Sequence, residues 1–508
     1  MTATLTATDA SGADAPVAPV EHPVLLPPPI PGSRLWGWLW PIAIALVAGV
    51  MRLWTIQRPK GIIFDEVYYT ADARDLLHHG VEHNRGYLFT VHPPLGKWMI
   101  AASEGIFGYV KTNGQRVGHP ELGWRVASAV VGTLAVLILA RTARRMFRST
   151  LLGCLAGVLL ALDGLEFVLS RTGILDIFVM FWLVCALACL VLDRDDGRKR
   201  LAARLADGRT SVGWWRPWRI ACGVCLGLMT ATKWSGLYHI AAFFCIAIAW
   251  DIGARRAGGE ARPIRDSVLK DVPVTVLCLL IVPVLAYTAS WTGWFLSDNG
   301  FDRHVAGSGI IGTLKSWIRY QHAALKFHEG LDTGHPYMSN QPIGWLTLSR
   351  PVSFFYSGIK NGQLGCTAAG GCSREVLAIG TPAIWWTGTL AMLGCVGWWI
   401  ARRDWRASLI VVGFGFGIIP WFLEPSRTKF QFYASPILPF LILALVGMAG
   451  LILGRRAAGE ERRLTGALIV GGYVLVVLGN FIWLYPILTA KVIPLTAWRA
   501  RMWFPGWI

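Results

Sequence analysis

Apolar runs of membrane length alternate with polar gaps along nearly the whole chain. A bilayer core about 30 Å thick needs about 20 apolar residues per crossing helix. On that criterion the pattern predicts spans near 36–54, 124–143, 151–169, 174–192, 219–232, 236–250, 272–295, 382–401, 407–423, 433–453 and 464–486, about eleven in all. The 219–250 stretch reads either as one long span or as two short helices broken at Lys233-Trp234-Ser235-Gly236. Two long segments, 55–123 and 296–381, contain no spanning run. Within the first, 95–110 reads as a mixed apolar helix lying at the membrane surface. Residues 1–33 are rich in Ala, Thr and Pro and offer no apolar face, so they are expected to be a disordered N-terminus.

Composition agrees with this pattern. The 508 residues are 54% hydrophobic and only 15% charged, and the mean hydropathy is +0.47, values that argue against a soluble enzyme. The net charge of +18 would suggest a nucleic-acid surface in a soluble protein. Its placement says otherwise. Basic residues cluster in five gaps, Arg141–Arg148, Arg194–Arg219, Arg255–Lys270, Arg402–Arg406 and Arg455–Arg463. All five fall on one side if the N-terminus is cytoplasmic and 219–250 is two spans, as the positive-inside rule requires. The expected partner is the lipid bilayer of the cell membrane, with no nucleic acid. Segments 55–123 and 296–381 and the tail 487–508 then lie outside. The tail carries Trp498, Trp503 and Trp507 and is expected at the interface. Eight of the ten cysteines sit inside apolar runs as small packing residues. Cys366 and Cys372 instead flank a short glycine-rich turn in the outer segment 296–381, where a disulfide closes easily.

The chemistry concentrates at the outer ends of the runs. Charges at the edge of an apolar run are costly and mark functional sites. Here they are Asp65, Glu66, Arg125, Arg171, Asp176, Lys233, Arg427 and Lys429, with His92 among them. Asp65-Glu66 opens a helical pattern at 64, 67, 68 and 71, and an aspartate at a helix start is expected to cap it and stay ionised with a low pKa. His92-Pro93-Pro94-Leu95-Gly96-Lys97 fixes an extended entry to a second helix. Arg171 and Asp176 are close enough in sequence to pair across a tight turn. No His/Cys/Asp cluster has metal-ligand spacing, so a divalent metal is compatible with the chain but not implied.

In order along the chain, Phe64-Asp65-Glu66, Val91-His92-Pro93-Pro94-Leu95-Gly96-Lys97, Arg125 after Gly123-Trp124, Ser170-Arg171-Thr172 with Leu175-Asp176, Thr232-Lys233-Trp234, His335-Pro336-Tyr337 with Arg350-Pro351, and Arg427 with Phe430, Tyr433 and Pro436 resemble the motifs of the protein O-mannosyltransferases (GT39), in their shorter bacterial, actinobacterial-type form. The resemblance implies an all-α polytopic membrane protein of the GT-C type, with residues 34–486 as the catalytic domain and amphipathic helices on its outer face. Segment 296–381 is too short for the β-trefoil MIR insert of eukaryotic members, and Phe432-Tyr433 stands where those have a His-Tyr pair. The implied activity is transfer of mannose, with inversion, from polyprenyl-phosphate-mannose to Ser or Thr of secreted proteins, which would be met during Sec translocation. The implied roles are Asp65 as base with Glu66 beside it, and His92, Arg125, Lys233 and Arg427 at the donor phosphate. Lys97, Arg171, Asp176, His335, Tyr337, Arg350 and Tyr433 are further candidates.

Two other readings stay open. The same scaffold could glycosylate a glycolipid or cell-wall glycan. A transporter would place its charges at the midplane of repeated halves, whereas here they lie on one side and no repeat is visible.

Overall fold

The computed structural model describes residues 25–26, 28–83, 91–208, 212–331, 341–454 and 459–508. Each of the eleven apolar runs folds as helix. Among the described residues nine helices are long and apolar enough to cross a membrane: Trp36–Leu53, Pro120–Phe147, Asp176–Ala206, Gly236–Ala257, Val272–Ser290, Pro382–Arg402, Trp405–Phe422, Gln431–Leu453 and Glu460–Leu488. The chain is therefore a multi-span membrane protein. The other two runs give shorter helices, Thr150–Ala161 and Pro217–Thr230.

Local chemistry explains the breaks. Pro opens the helices Pro120–Phe147, Pro217–Thr230 and Pro382–Arg402, where its missing N–H costs nothing. The 219–250 stretch is two helices, turning at Lys233–Ser235. Gly236 permits that turn, since a Cβ there would fall 2.7 Å from the Thr230 backbone nitrogen. The 151–169 run, expected as one span, is interrupted. Asp163 accepts the Glu166 N–H at 3.0 Å and starts a separate helix, Gly164–Leu169. Its other oxygen accepts from the Trp385 indole at 2.8 Å and the Thr381 N–H at 3.1 Å. A π-helical turn at Leu277–Ile281 precedes Pro283 in the Val272–Ser290 span, as fits a site where the i→i−4 ladder is broken.

One end of the bundle carries the basic gaps, and there the arginines do more than set topology. Arg216 and Arg219 share Asp193, Arg219 reaches Asp251 at 2.7 Å, and Arg255 holds both Asp271 and Glu260. These buried pairs lock the ends of four helices together.

The opposite end is capped by the long connections. The helix Glu66–His79 packs on Leu95–Phe107, which in turn packs on Pro120–Phe147. A helix at Gly309–Glu329 follows the Val272–Ser290 span. The fold is mostly helical, as expected, with few strands among the described residues: Gly108–Val110 pairs with Arg116–Gly118, and Val352–Ile359 and Cys372–Ala378 form an antiparallel hairpin, to which Ile493–Pro494 adds a third strand. Cys366 and Cys372 are joined across the hairpin turn, with Cα atoms 5.8 Å apart. The tail is thereby drawn onto the protein. Trp498 donates to Glu375 at 2.7 Å and Trp507 to the Leu348 carbonyl at 2.7 Å, both buried. Only Trp503 keeps the exposed position expected of an interfacial indole. Most of 1–33 lies outside the described residues.

Candidate active site

The capped end gathers most of the charged residues singled out in the sequence, but in two different states. One group is saturated with bonds. Glu66 is fully buried and accepts from Arg125 Nε at 2.8 Å and Nη2 at 2.9 Å, from the Ile63 N–H at 3.0 Å and from the Gly173 N–H at 3.0 Å. Arg125 spends its remaining N–H groups on the carbonyls of Ile56, Pro59 and Gly61. A guanidinium has five N–H donors, and all five are engaged. The expectation that Arg125 grips a donor phosphate is therefore corrected: it braces the 56–66 loop and Glu66.

Arg171 and Lys97 are braces too. Arg171 Nη1 donates to the carbonyls of Met51, Arg52 and Trp54 at 3.2, 2.7 and 2.7 Å, closing the C-terminal end of the first span. It does not pair with Asp176. Lys97 is buried between Glu82 and Asp72, and donates to the His92 carbonyl at 2.9 Å.

The second group is less fully bonded. Asp65 follows Phe64, whose φ of 46° places a bulky residue in the left-handed region. Such strain persists only where surroundings fix it. Here Phe64 stacks on Phe354 of the hairpin with centroids 4.4 Å apart and meets Phe432 edge-on at 5.6 Å. Asp65 does not cap the helix it precedes, and its carboxylate is half-buried without a hydrogen bond among the described residues. The expected low pKa is overturned. Burial dominates and pushes it up to about 6, with Lys233 pulling it down and Asp176 pushing it up.

Lys233 comes from the turn between two helices and binds Asp176 at 2.8 Å, with its Nζ 5.2 Å from the centre of the Tyr433 ring. Asp176 belongs with Lys233, then, and not with Arg171. Arg427, on the last turn before Gln431–Leu453, leans over Trp421 at 5.6 Å and against the Tyr433 hydroxyl. Its Nη2 meets His328 Nδ1 at 3.4 Å, and its buried Nε has no partner among the described residues.

His328 was not singled out in the sequence. It ends the Gly309–Glu329 helix, where its apolar-and-polar neighbours give it no distinguishing pattern. Its Nε2 lies 3.2 Å from the Val91 carbonyl. A carbonyl only accepts, so Nε2 carries the proton and Nδ1 is free to accept from Arg427. Burial, then Arg427, lowers its pKa to about 4. The His92 ring lies 5.2 Å from it and 6.2 Å from Tyr69, and is also pushed well below the imidazole range, by burial first and the surrounding cations next. Both rings are neutral at physiological pH. Arg350 lies just before the hairpin, beside the Gly506 turn. His335 and Tyr337 lie outside the described residues. Among the described residues, no three His, Cys, Asp or Glu groups are placed to hold a metal ion.

The site thus offers an unbonded carboxylate of raised pKa, a lysine, an arginine with an unused donor and two neutral imidazoles, mounted on the capped end of a polytopic helical bundle. Such an arrangement can bind an anion and take a proton beside it, as a membrane-embedded group transferase does. Residues 42–294 match the family model "Dolichyl-phosphate-mannose-protein mannosyltransferase", and residues 313–507 match the "C-terminal four TMM region of protein-O-mannosyltransferase". The chain is 38% identical over its full length, and over the relative's full length, to a polyprenol-phosphate-mannose–protein mannosyltransferase of Mycolicibacterium smegmatis. It is 32% identical to one of Corynebacterium glutamicum, covering 95% of each chain. In fold it is similar to the Saccharomyces cerevisiae protein O-mannosyltransferase Pmt1-Pmt2 complex bound to the sugar donor, with a TM-score of 0.72 at 15% identity, covering 94% of this chain and 93% of that one. The chain belongs to the dolichyl-phosphate-mannose–protein mannosyltransferase family and is a glycosyltransferase of the GT-C fold.

Proposed function

We propose that the chain transfers mannose from polyprenyl-phosphate-mannose to Ser or Thr hydroxyls of exported proteins, with Asp65 as the base. The observation that carries the reading is the pairing of one unbonded carboxylate, Asp65, with two cations, Lys233 and Arg427, at the same end of the bundle. In the step proposed, the acceptor oxygen bonds to C1 of mannose, the C1–O bond to phosphate breaks, and polyprenyl phosphate leaves with one more negative charge. Lys233 and Arg427 face that charge, which is where electrostatic stabilisation is worth most. The acceptor proton passes to Asp65, whose raised pKa makes it a better base than an ordinary carboxylate. A single displacement inverts the anomeric centre. His92, neutral, is placed as a hydrogen-bond donor or acceptor rather than as a charge.

The basic gaps lie at the bundle end opposite Asp65, so the positive-inside rule supports a cytoplasmic N-terminus and a site on the outer membrane face, where exported chains emerge. The family membership supports a protein acceptor over a glycolipid or glycan. The deciding experiment offers the purified, reconstituted chain polyprenyl-phosphate-mannose with either a Thr/Pro-rich peptide or a lipid-linked glycan. Hexose addition to peptide hydroxyls by mass spectrometry is the expected result. Addition to the glycan alone would overturn the reading.

A further inference from the structure

At the basic end, five arginines crowd one corner. Arg145, Arg148 and Arg194 all pair with Asp195, and Arg406 pairs with Asp404. Arg198 has neither an ion pair nor a hydrogen bond of its own among the described residues, although its Nε is buried. Two carboxylates against five guanidinium groups leave three positive charges uncompensated. The Nε atoms of Arg194 and Arg198 are buried without a hydrogen-bond partner, and that of Arg406 has only the Asp404 carboxylate, at an ion-pair distance of 3.5 Å. These three residues, with Arg148, line one cavity of about 150 Å³, whose other walls are Met146, Trp405 and the N-terminal residues Leu25, Leu26 and Pro28. Arg194 is stacked on Trp405 at 3.8 Å, which holds its guanidinium in place.

Buried, unpaired guanidinium donors are expensive. The bare positive-inside rule does not require them, since exposed arginines set topology equally well. The arrangement calls for an anion. Arg148 and Arg406 also line a second, larger space of about 890 Å³. That groove runs between the first span and the last two, over Trp36, Trp40, Leu151, Leu451 and the small residues Gly447 and Gly450. Trp36 and Trp40 are about half exposed, as indoles at a membrane interface are, and Arg463 stands at the groove's far rim. A phosphate-sized basic pocket thus lies beside an apolar groove, with Arg148 and Arg406 lining both.

We propose that this corner is a binding site for one anionic phospholipid, its phosphate on Arg198 and Arg406 and an acyl chain along the Trp36–Gly447 groove. Basic pockets between helices at the positive end of a membrane protein recognise acidic headgroups in this way. The site lies at the bundle end opposite Asp65, so it is separate from the proposed donor site.

The test is native mass spectrometry of the purified full-length chain, titrated in parallel with phosphatidylglycerol, phosphatidylcholine and inorganic phosphate. The wild type should retain one phosphatidylglycerol with about tenfold preference over phosphatidylcholine, a tenfold change in affinity being an ordinary effect of a few charge contacts. Arg198→Gln combined with Arg406→Gln should reduce phosphatidylglycerol retention to the phosphatidylcholine level. Ala467→Trp, which blocks the groove from an exposed position without altering charge, should weaken phosphatidylglycerol as well. It serves as the second variant, and a monodisperse elution profile shows that each variant is folded. Equal retention of the two lipids by the wild type would overturn the proposal. So would displacement of phosphatidylglycerol by an equal concentration of inorganic phosphate, which would assign the arginines to a soluble anion, or unchanged retention in a folded variant of either kind.

Discussion

Asp65 and Glu66 share a peptide bond but not an environment. Glu66 is buried and accepts four hydrogen bonds, two of them from Arg125, while Asp65 has none and carries a pKa raised to about 6. The sequence shows two adjacent carboxylates beside an apolar run, and a helix places them about 100° apart. That geometry separates their roles without saying which one is spent on structure. The same holds for the cations. Arg125, Arg171 and Lys97 read like Lys233 and Arg427 in sequence, because nothing in a one-dimensional pattern counts the carbonyls that will fold around a guanidinium. The cap reading of Asp65 fails for a related reason: the expected pKa follows from helix-end geometry, whereas burial of the carboxylate outweighs it. A consequence at this scale concerns Arg125. Removing one partner of a buried ion pair costs about 3–5 kcal/mol. Arg125→Ala should therefore lower the stability of the purified protein to denaturant by about that amount and reduce its yield in membranes. If Arg125 instead served only the donor phosphate, stability would be unchanged and only donor binding would weaken.

At the level of elements, the long helices were legible because length and apolarity are forced by the bilayer. Even the break in 219–250 followed from the loop charges. Features that do not depend on bilayer thickness were not. Asp163 sits unannounced within an apolar run, since two acids, Asp163 and Glu166, among 19 residues do not lower its hydropathy enough to show a break. The hairpin at Val352–Ile359 and Cys372–Ala378 was missed because its strands are short and mixed in polarity, and their partners are fixed by the fold. That hairpin matters to the site: Phe354 on it holds Phe64, and Phe64 sets the turn that presents Asp65. The Gly309–Glu329 helix contributes His328, which accepts from Arg427 through a ring tautomer fixed by the Val91 carbonyl. His328 is thus a positioning residue for Arg427. His328→Phe should keep the packing volume and remove the acceptor. It should raise the KM for the lipid-linked donor severalfold and change kcat little, with Gln restoring part of the loss. Equal loss in kcat with KM unchanged would show that the helix end does not act through donor binding.

Across the whole molecule, the two ends of the bundle are built on different electrostatic plans. The basic end locks helices with saturated Arg–Asp networks around Asp193, Asp251 and Asp271 and keeps a surplus of arginine at one corner. The capped end saturates its braces and leaves a few groups unspent around Asp65. This division is what a transferase acting at one membrane face needs: a rigid frame, and a small set of residues free to meet substrate. The measurement that tests this most directly is the pH dependence of kcat/KM for mannose transfer to a Ser/Thr peptide. Asp65 must be ionised to take the proton, so the rate should fall as pH drops through its pKa of about 6. The two neighbouring imidazoles do not supply that limb, because His328 titrates near 4 and His92 well below its usual range. Asp65→Asn should abolish the limb and cut turnover by about 10²-fold or more, the usual scale for a lost general base. A limb that persists near pH 6 in a folded Asp65→Asn protein turning over at close to the wild-type rate would contradict the account.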